Sequence, residues 1–151
     1  MGGMTVFDVA DWFLHKKSFT HKQLQKLCYY AQAWHYTLLG EPLFEEEFQA
    51  WIHGAVCPPL YARFASYGWT PIKKLKGKSP KFSSESLQVL RSVYNTYSKL
   101  SGAQLESLNH SELPWRKARG DLLPYEPSEN VISLESMRKF YGEAYRQAQG
   151  D

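Results

Sequence analysis

The chain has 151 residues, 43% of them apolar and 22% charged, and 18 Lys+Arg against 15 Asp+Glu leave a net charge of +3. One globular domain of this size buries a full core without staples, which excludes a disordered chain. No run approaches the roughly 18 unbroken apolar residues of a membrane span, and the basic excess is too slight for a dedicated nucleic-acid binder.

The N-terminal segment lacks the basic-then-apolar pattern of a secretion signal. Val6 stands where the myristoylation pattern wants Ser or Thr, and Met4 is a second candidate start. Residues 1–5 therefore read as a flexible lead-in. The first helix is expected from about Val6 to Lys17, with Thr5 as cap, Asp8 at the positive end of the dipole, and Val6, Val9, Ala10, Phe13 and Leu14 on the buried face.

Thr20-His21-Lys22-Gln23 has the form of a capping box, and Leu24, Leu27, Cys28, Ala31, Trp34 and Leu38 follow at helical spacing. Gly40 and Pro42 end this second helix. Lys22, Gln25 and Lys26 read as its wet side, while Tyr30 and Tyr36 form a second side that is aromatic with polar tips.

Between Leu43 and Val56 the helical period fades. Phe48–Ile52 reads either as a short extended piece or as a brief helical turn, and Gly54 as a tight bend. Pro58-Pro59 suits a helix start and Gly68 its stop. Residues 70–82 read as a solvated connector, with Lys73, Lys74, Lys76, Lys78 and Lys81 inside nine positions. The alternative is a basic arm for an acidic surface or RNA.

Further helices are expected from about Ser84 to Lys99, from the capping box at Ser101 and Gln104 to Leu108, from Leu113-Pro114-Trp115 to near Gly120, and after Ser133. Val131-Ile132 could pair as a short strand. The fold class is mainly α: a compact single-domain bundle of about five to seven helices with room for a minor short β element, the domain spanning 6–148.

Catalytic sets are not evident. The five histidines make no His-x-x-x-His pair, and Gly77-Lys78-Ser79 lacks the upstream glycine of a phosphate loop. Cys28 sits on an apolar helix face, and Cys57 has no base nominated by any motif. Two cysteines make no disulfide scaffold, so a reducing, cytoplasmic setting is the simplest reading. No metal and no cofactor are expected.

The aromatic content, 15%, exceeds what a small core obviously needs, and Trp and Tyr are favoured anchors at protein-binding surfaces. Two dense segments hold an aromatic ring at a turn of the backbone: Trp51 to Tyr61, and Asn109 to Trp115. Corner-fixing core plugs would explain Trp51 and Trp115, and so would a binding surface.

The run Leu24–Trp34, then Gly40–Phe44, then Ala50–Val56, followed by Pro58, Tyr61, Leu100-Ser101, His110 and Pro114-Trp115, resembles the Panacea domain of SocA-like antitoxins. The sequence departs from the family pattern at Cys28, usually a larger apolar residue, at His53, often aromatic or basic, and at Asn109-His110 in place of Thr-His. The resemblance implies a helical domain without enzymatic activity. It would neutralise a cognate protein toxin, encoded by an adjacent gene, through direct contact.

A proteolytic adaptor that delivers the toxin to a bacterial protease is the alternative the resemblance offers. Membrane and nucleic-acid partners are not expected, and homodimerisation is left open. The motif residues expected nearest to function are Lys26, Tyr29, Trp51, His53, Tyr61, His110, Trp115 and Arg116.

Overall fold

The computed structural model describes residues 3–150. Met1 and Gly2 of the expected flexible lead-in, and Asp151, lie outside the described residues.

Chain order is α1 (Val6–Lys16), α2 (His21–Leu39), β1 (Gln49–Trp51), β2 (Gly54–Val56), α3 (Pro58–Phe64), α4 (Ser84–Tyr97), α5 (Gly102–Ser111), α6 (Leu113–Arg119) and α7 (Leu134–Gly150), with a 3-10 turn over Ala65–Tyr67. The mainly α expectation is met: the described residues form seven helices and one two-stranded hairpin. The capping boxes at Thr20/Gln23 and Ser101/Gln104 both form, as does one at Thr5/Asp8. Each satisfies two amides that a helix start otherwise leaves bare. Gly40 closes α2 in the left-handed region at φ 76°.

α2 is the hub. It packs against α7, α4, α1, α5, α3 and the hairpin, so it has no wet side over its first half. Here the sequence reading is corrected: Gln25 and Lys26 are buried, each 2% exposed, because the hairpin and α5 cover the face they share. Leu38, expected on the buried face, is exposed near the C-terminal end of α2. α5 runs on to Ser111, past its expected end at Leu108.

Of the two polar-tipped aromatics expected on a second side of α2, Tyr30 is used inside the core, whereas Tyr36 stays at the surface and donates to Glu135 Oε1 at 2.9 Å. The Tyr30 and Tyr141 hydroxyls donate to Glu112 Oε1 at 2.7 and 2.8 Å, the Tyr29 hydroxyl lies 3.2 Å from that of Tyr141, and Tyr30 stacks on Tyr97 at 4.1 Å. Trp34 Nε1 donates to the Tyr97 hydroxyl. Paired hydroxyls remove the cost of burying polar tips, so the rings supply packing area without stranded donors. Burial holds the Glu112 carboxyl above the ordinary carboxylate range, although both hydroxyl bonds work the other way.

Phe48–Ile52 resolves in favour of the extended alternative. Three residues per strand are too few for an independent hairpin, and both of its edges are covered. On one side Ala50 N–H donates to Asn130 O and Ile132 N–H to Phe48 O, so Val131 does pair, bridging to Gln49. Arg119, 4% exposed, donates to Ala50 O, and its second nitrogen holds the 120–127 loop through the carbonyls of Leu123 and Glu126. The lysine connector is irregular and its lysines are exposed, but its backbone is pinned by Ile72 N–H to Phe19 O and Leu75 N–H to Leu14 O.

Candidate functional site

The second edge of the hairpin belongs to side chains. Asn109, fully buried, accepts from Ala55 N–H at 2.6 Å. Lys26 Nζ donates to Ala55 O at 3.3 Å, and Gln25 Oε1 accepts from Cys57 N–H at 2.9 Å. Two helices thus supply what a third strand would, and no bare edge remains.

The approach is close enough to need glycine at the bend. At Gly54, φ +107°, an added Cβ would lie 2.8 Å from Asn109 Oδ1 and 2.9 Å from Lys26 Cε.

Above this edge opens a cavity of about 780 Å³, the size of a site for a drug-sized ligand or a few peptide residues. His21, Gln25 and Lys26 line it from α2, and Trp51, Ile52, Val56 and Tyr61 form apolar walls. Tyr61 packs against both the His21 ring and Trp51, each at 5.0 Å. Trp69 stands at the mouth, 84% exposed. At the rim, Glu106 pairs with Lys22 and accepts from His53 Nδ1 at 3.1 Å.

The electrostatics follow from burial. Desolvation, reinforced by Lys22, draws the Lys26 amine down to about 7, and desolvation also pulls His21 and His110 below the ordinary histidine range. Against its own burial, Glu106 is held below the usual carboxylate range by the hydrogen bonds of Lys22 and His53. Gln25 Nε2 and both His21 ring nitrogens have no partner among the described residues. Nearby, Asn109 Nδ2 and His110 Nε2 also have none.

Of the eight expected residues, Lys26, Trp51, His53 and Tyr61 converge on this cavity. Trp115 and His110 stand outside its lining. Trp115 Nε1 donates to Trp51 O at 2.8 Å, and the His110 ring stacks on Trp115 at 4.1 Å. The two dense segments of the sequence therefore meet, and the second fixes the first. Trp115 is a core plug, 8% exposed, whereas Trp51 is a half-buried wall.

Tyr29 is wholly buried against Phe48 and Tyr141, away from the cavity, and Arg116 is exposed and does not line it. The sequence reading missed His21, Gln25 and Trp69. The signal for the first two was their register, since positions 21 and 25 lie one turn apart beside Lys26 on one helical face.

No group of three or more His, Cys, Asp or Glu among the described residues could hold a metal ion, and no helix of the structure is long and apolar enough to cross a membrane. Cys28 and Cys57 are free and buried, and burial pushes both thiols up, that of Cys57 to about 11.

A family model described as "Antitoxin SocA-like, Panacea domain" matches residues 24–116, more than half of the chain. No curated protein and no solved structure matches it.

Proposed function

The chain belongs to the SocA-like antitoxin family, Panacea domain, and from that membership we propose that it neutralises a cognate protein toxin by direct, stoichiometric binding in the cytoplasm, without catalysis. The observation that carries the reading is where the matched span places three aromatics, the half-buried Trp51 and the exposed Tyr61 and Trp69. Trp51, Tyr61 and Trp69 all fall within 24–116 and surround one concave site. Binding energy at protein interfaces concentrates in such Trp and Tyr anchors, set around a pocket that excludes water.

A packed tryptophan, Trp115, fixes the backbone of that wall and leaves little to be ordered on binding. The eight motif residues divide under this reading. Lys26, Trp51, His53 and Tyr61 contact the toxin, His110 and Trp115 position them, Tyr29 belongs to the core, and Arg116 lies outside the contact.

The test is co-expression with the product of the adjacent gene, followed by purification through a tag on this chain. Growth rescue with a stable complex supports neutralisation by contact. Rescue with loss of the toxin and no complex favours delivery to a protease. Absence of both rescue and complex refutes the antitoxin reading.

A further inference from the structure

The cavity floor is made of donors with too few acceptors. Gln25, 2% exposed, commits Oε1 to the Cys57 amide and leaves Nε2 unpartnered. Lys26, 2% exposed, has one hydrogen bond, to Ala55 O, of the three its ammonium can make. His21, 8% exposed, has neither ring nitrogen engaged. Buried polar groups are ordinarily paired, so three under-used ones on a single face require a common explanation.

Water could serve these donors but would leave the apolar walls wet. A buried cation also calls for an anion, and Glu106, whose charge reaches Lys26, is already shared between Lys22 and His53.

We propose that the cavity receives an acidic segment of the toxin, with one Asp or Glu carboxylate seated on Lys26 Nζ, Gln25 Nε2 and a His21 N–H, and its apolar neighbours against Trp51, Tyr61 and Trp69. The proposal rests on the antitoxin reading and gives it an anchor. A carboxylate fits because two adjacent oxygens offer about four acceptor positions to the idle donors of this floor, an ammonium, an amide N–H and one imidazole N–H.

A protein segment fits better than a free metabolite because the mouth is wide and aromatic. Trp69 is 84% exposed and Tyr61 41%, surfaces that a macromolecule covers and a small occupant of the floor does not. A nucleic-acid strand fits worse. Glu129 lines the cavity, Glu106 stands at its rim, and none of the five connector lysines lines it.

The experiment uses the purified full chain and the purified product of the adjacent gene, with the dissociation constant measured by titration calorimetry. Lys26→Met keeps the volume and removes the charge. Its complex is expected to be roughly tenfold to a hundredfold weaker, as for loss of a charge-assisted hydrogen bond, while its thermal midpoint stays at or above that of the wild type.

Changing each Asp and Glu of the toxin to Asn or Gln should reveal one position that reproduces the loss and does not add to it when combined with Lys26→Met. Gln25→Glu, which places a like charge on the floor, should weaken the same complex. A Lys26→Met affinity within threefold of wild type overturns the proposal, as does a loss that no single toxin carboxylate reproduces. A small carboxylate carried by the chain purified alone, seen by native mass spectrometry and lost in Lys26→Met, overturns it in favour of a metabolite site. Absence of any wild-type complex removes the antitoxin reading and the proposal together, whereas a wild-type complex indifferent to Lys26 removes only the proposal.

Discussion

Replacing Lys26 by Met should stabilise the protein at neutral pH, by an amount that shrinks as pH rises. The folded amine titrates at about 7 and the unfolded one at 10.5, so between these values the unfolded chain holds a proton that the folded chain has released. Stability then rises with pH. The contribution is complete above 10.5 and is lost as pH falls through 7. At about 1.4 kcal/mol per pH unit, the burial costs the folded state on the order of 4 kcal/mol at pH 7.

Methionine removes that cost but gives up the bond to Ala55 O, worth roughly 1.5–3 kcal/mol with a charged donor. The net gain expected at pH 7 is therefore about 1–2.5 kcal/mol. It should close by about 1 kcal/mol per pH unit up to pH 9. Urea midpoints of both proteins at pH 7, 8 and 9 give the comparison. The window stops at 9 because the raised thiols and tyrosine hydroxyls destabilise both proteins above it. His21 and His110, pulled down, act below it. Parallel pH curves, or a variant less stable than wild type at pH 7, would refute the argument that Lys26 is a costly buried cation.

Gly54→Ala forces a side chain into φ +107° and against Asn109 and Lys26; a loss of roughly 2–4 kcal/mol is expected in the same denaturation assay. Glu112→Gln keeps the oxygen that both tyrosines use and removes the charge. Because the Glu112 carboxyl is raised, wild-type stability is lost as pH rises from 4.5 through that higher value, and the Gln variant, followed by denaturation at stepped pH above 4.5, should lack this component. Neither Cys28 nor Cys57 should react with iodoacetamide at pH 7.5 until the chain is unfolded, with alkylation read by intact mass. Trp69→Ala, at an exposed position, should change stability by less than about 0.5 kcal/mol yet weaken the toxin complex roughly tenfold by calorimetry.

The helices were legible because their ends are chemically marked. Thr20 with Gln23 and Ser101 with Gln104 announce starts, Gly40 and Pro42 an end, and such signals act within one turn of the chain. The hairpin was only half legible. Three-residue strands carry too little alternation to outweigh a helical turn, and what holds them is distant: Asn130, Ile132, Arg119, Asn109, Lys26 and Gln25. The same remoteness explains the misplaced wet side of α2. Lys22 and Lys26 one turn apart read as a solvated stripe, and only the hairpin and α5 folding over that stripe reverse its meaning.

The polar side chains that cover the hairpin show how one feature serves both fold and site. Gln25 and Asn109 each engage one amide atom with the β2 edge and leave the other unpartnered. A purely structural cover would be complete with both atoms satisfied. Local rules that a folded chain breaks without gain in stability tend to mark functional positions, and here the breaches cluster: a cation without a dedicated anion, an idle amide and an idle imidazole on one face of α2. If a partner's carboxylate satisfies all three at once, binding repairs a deficit built into the folded chain. The free protein would then be less stable than its core suggests, and the repaired contacts would enter the dissociation constant, which through mass action sets how far complex formation raises the thermal midpoint.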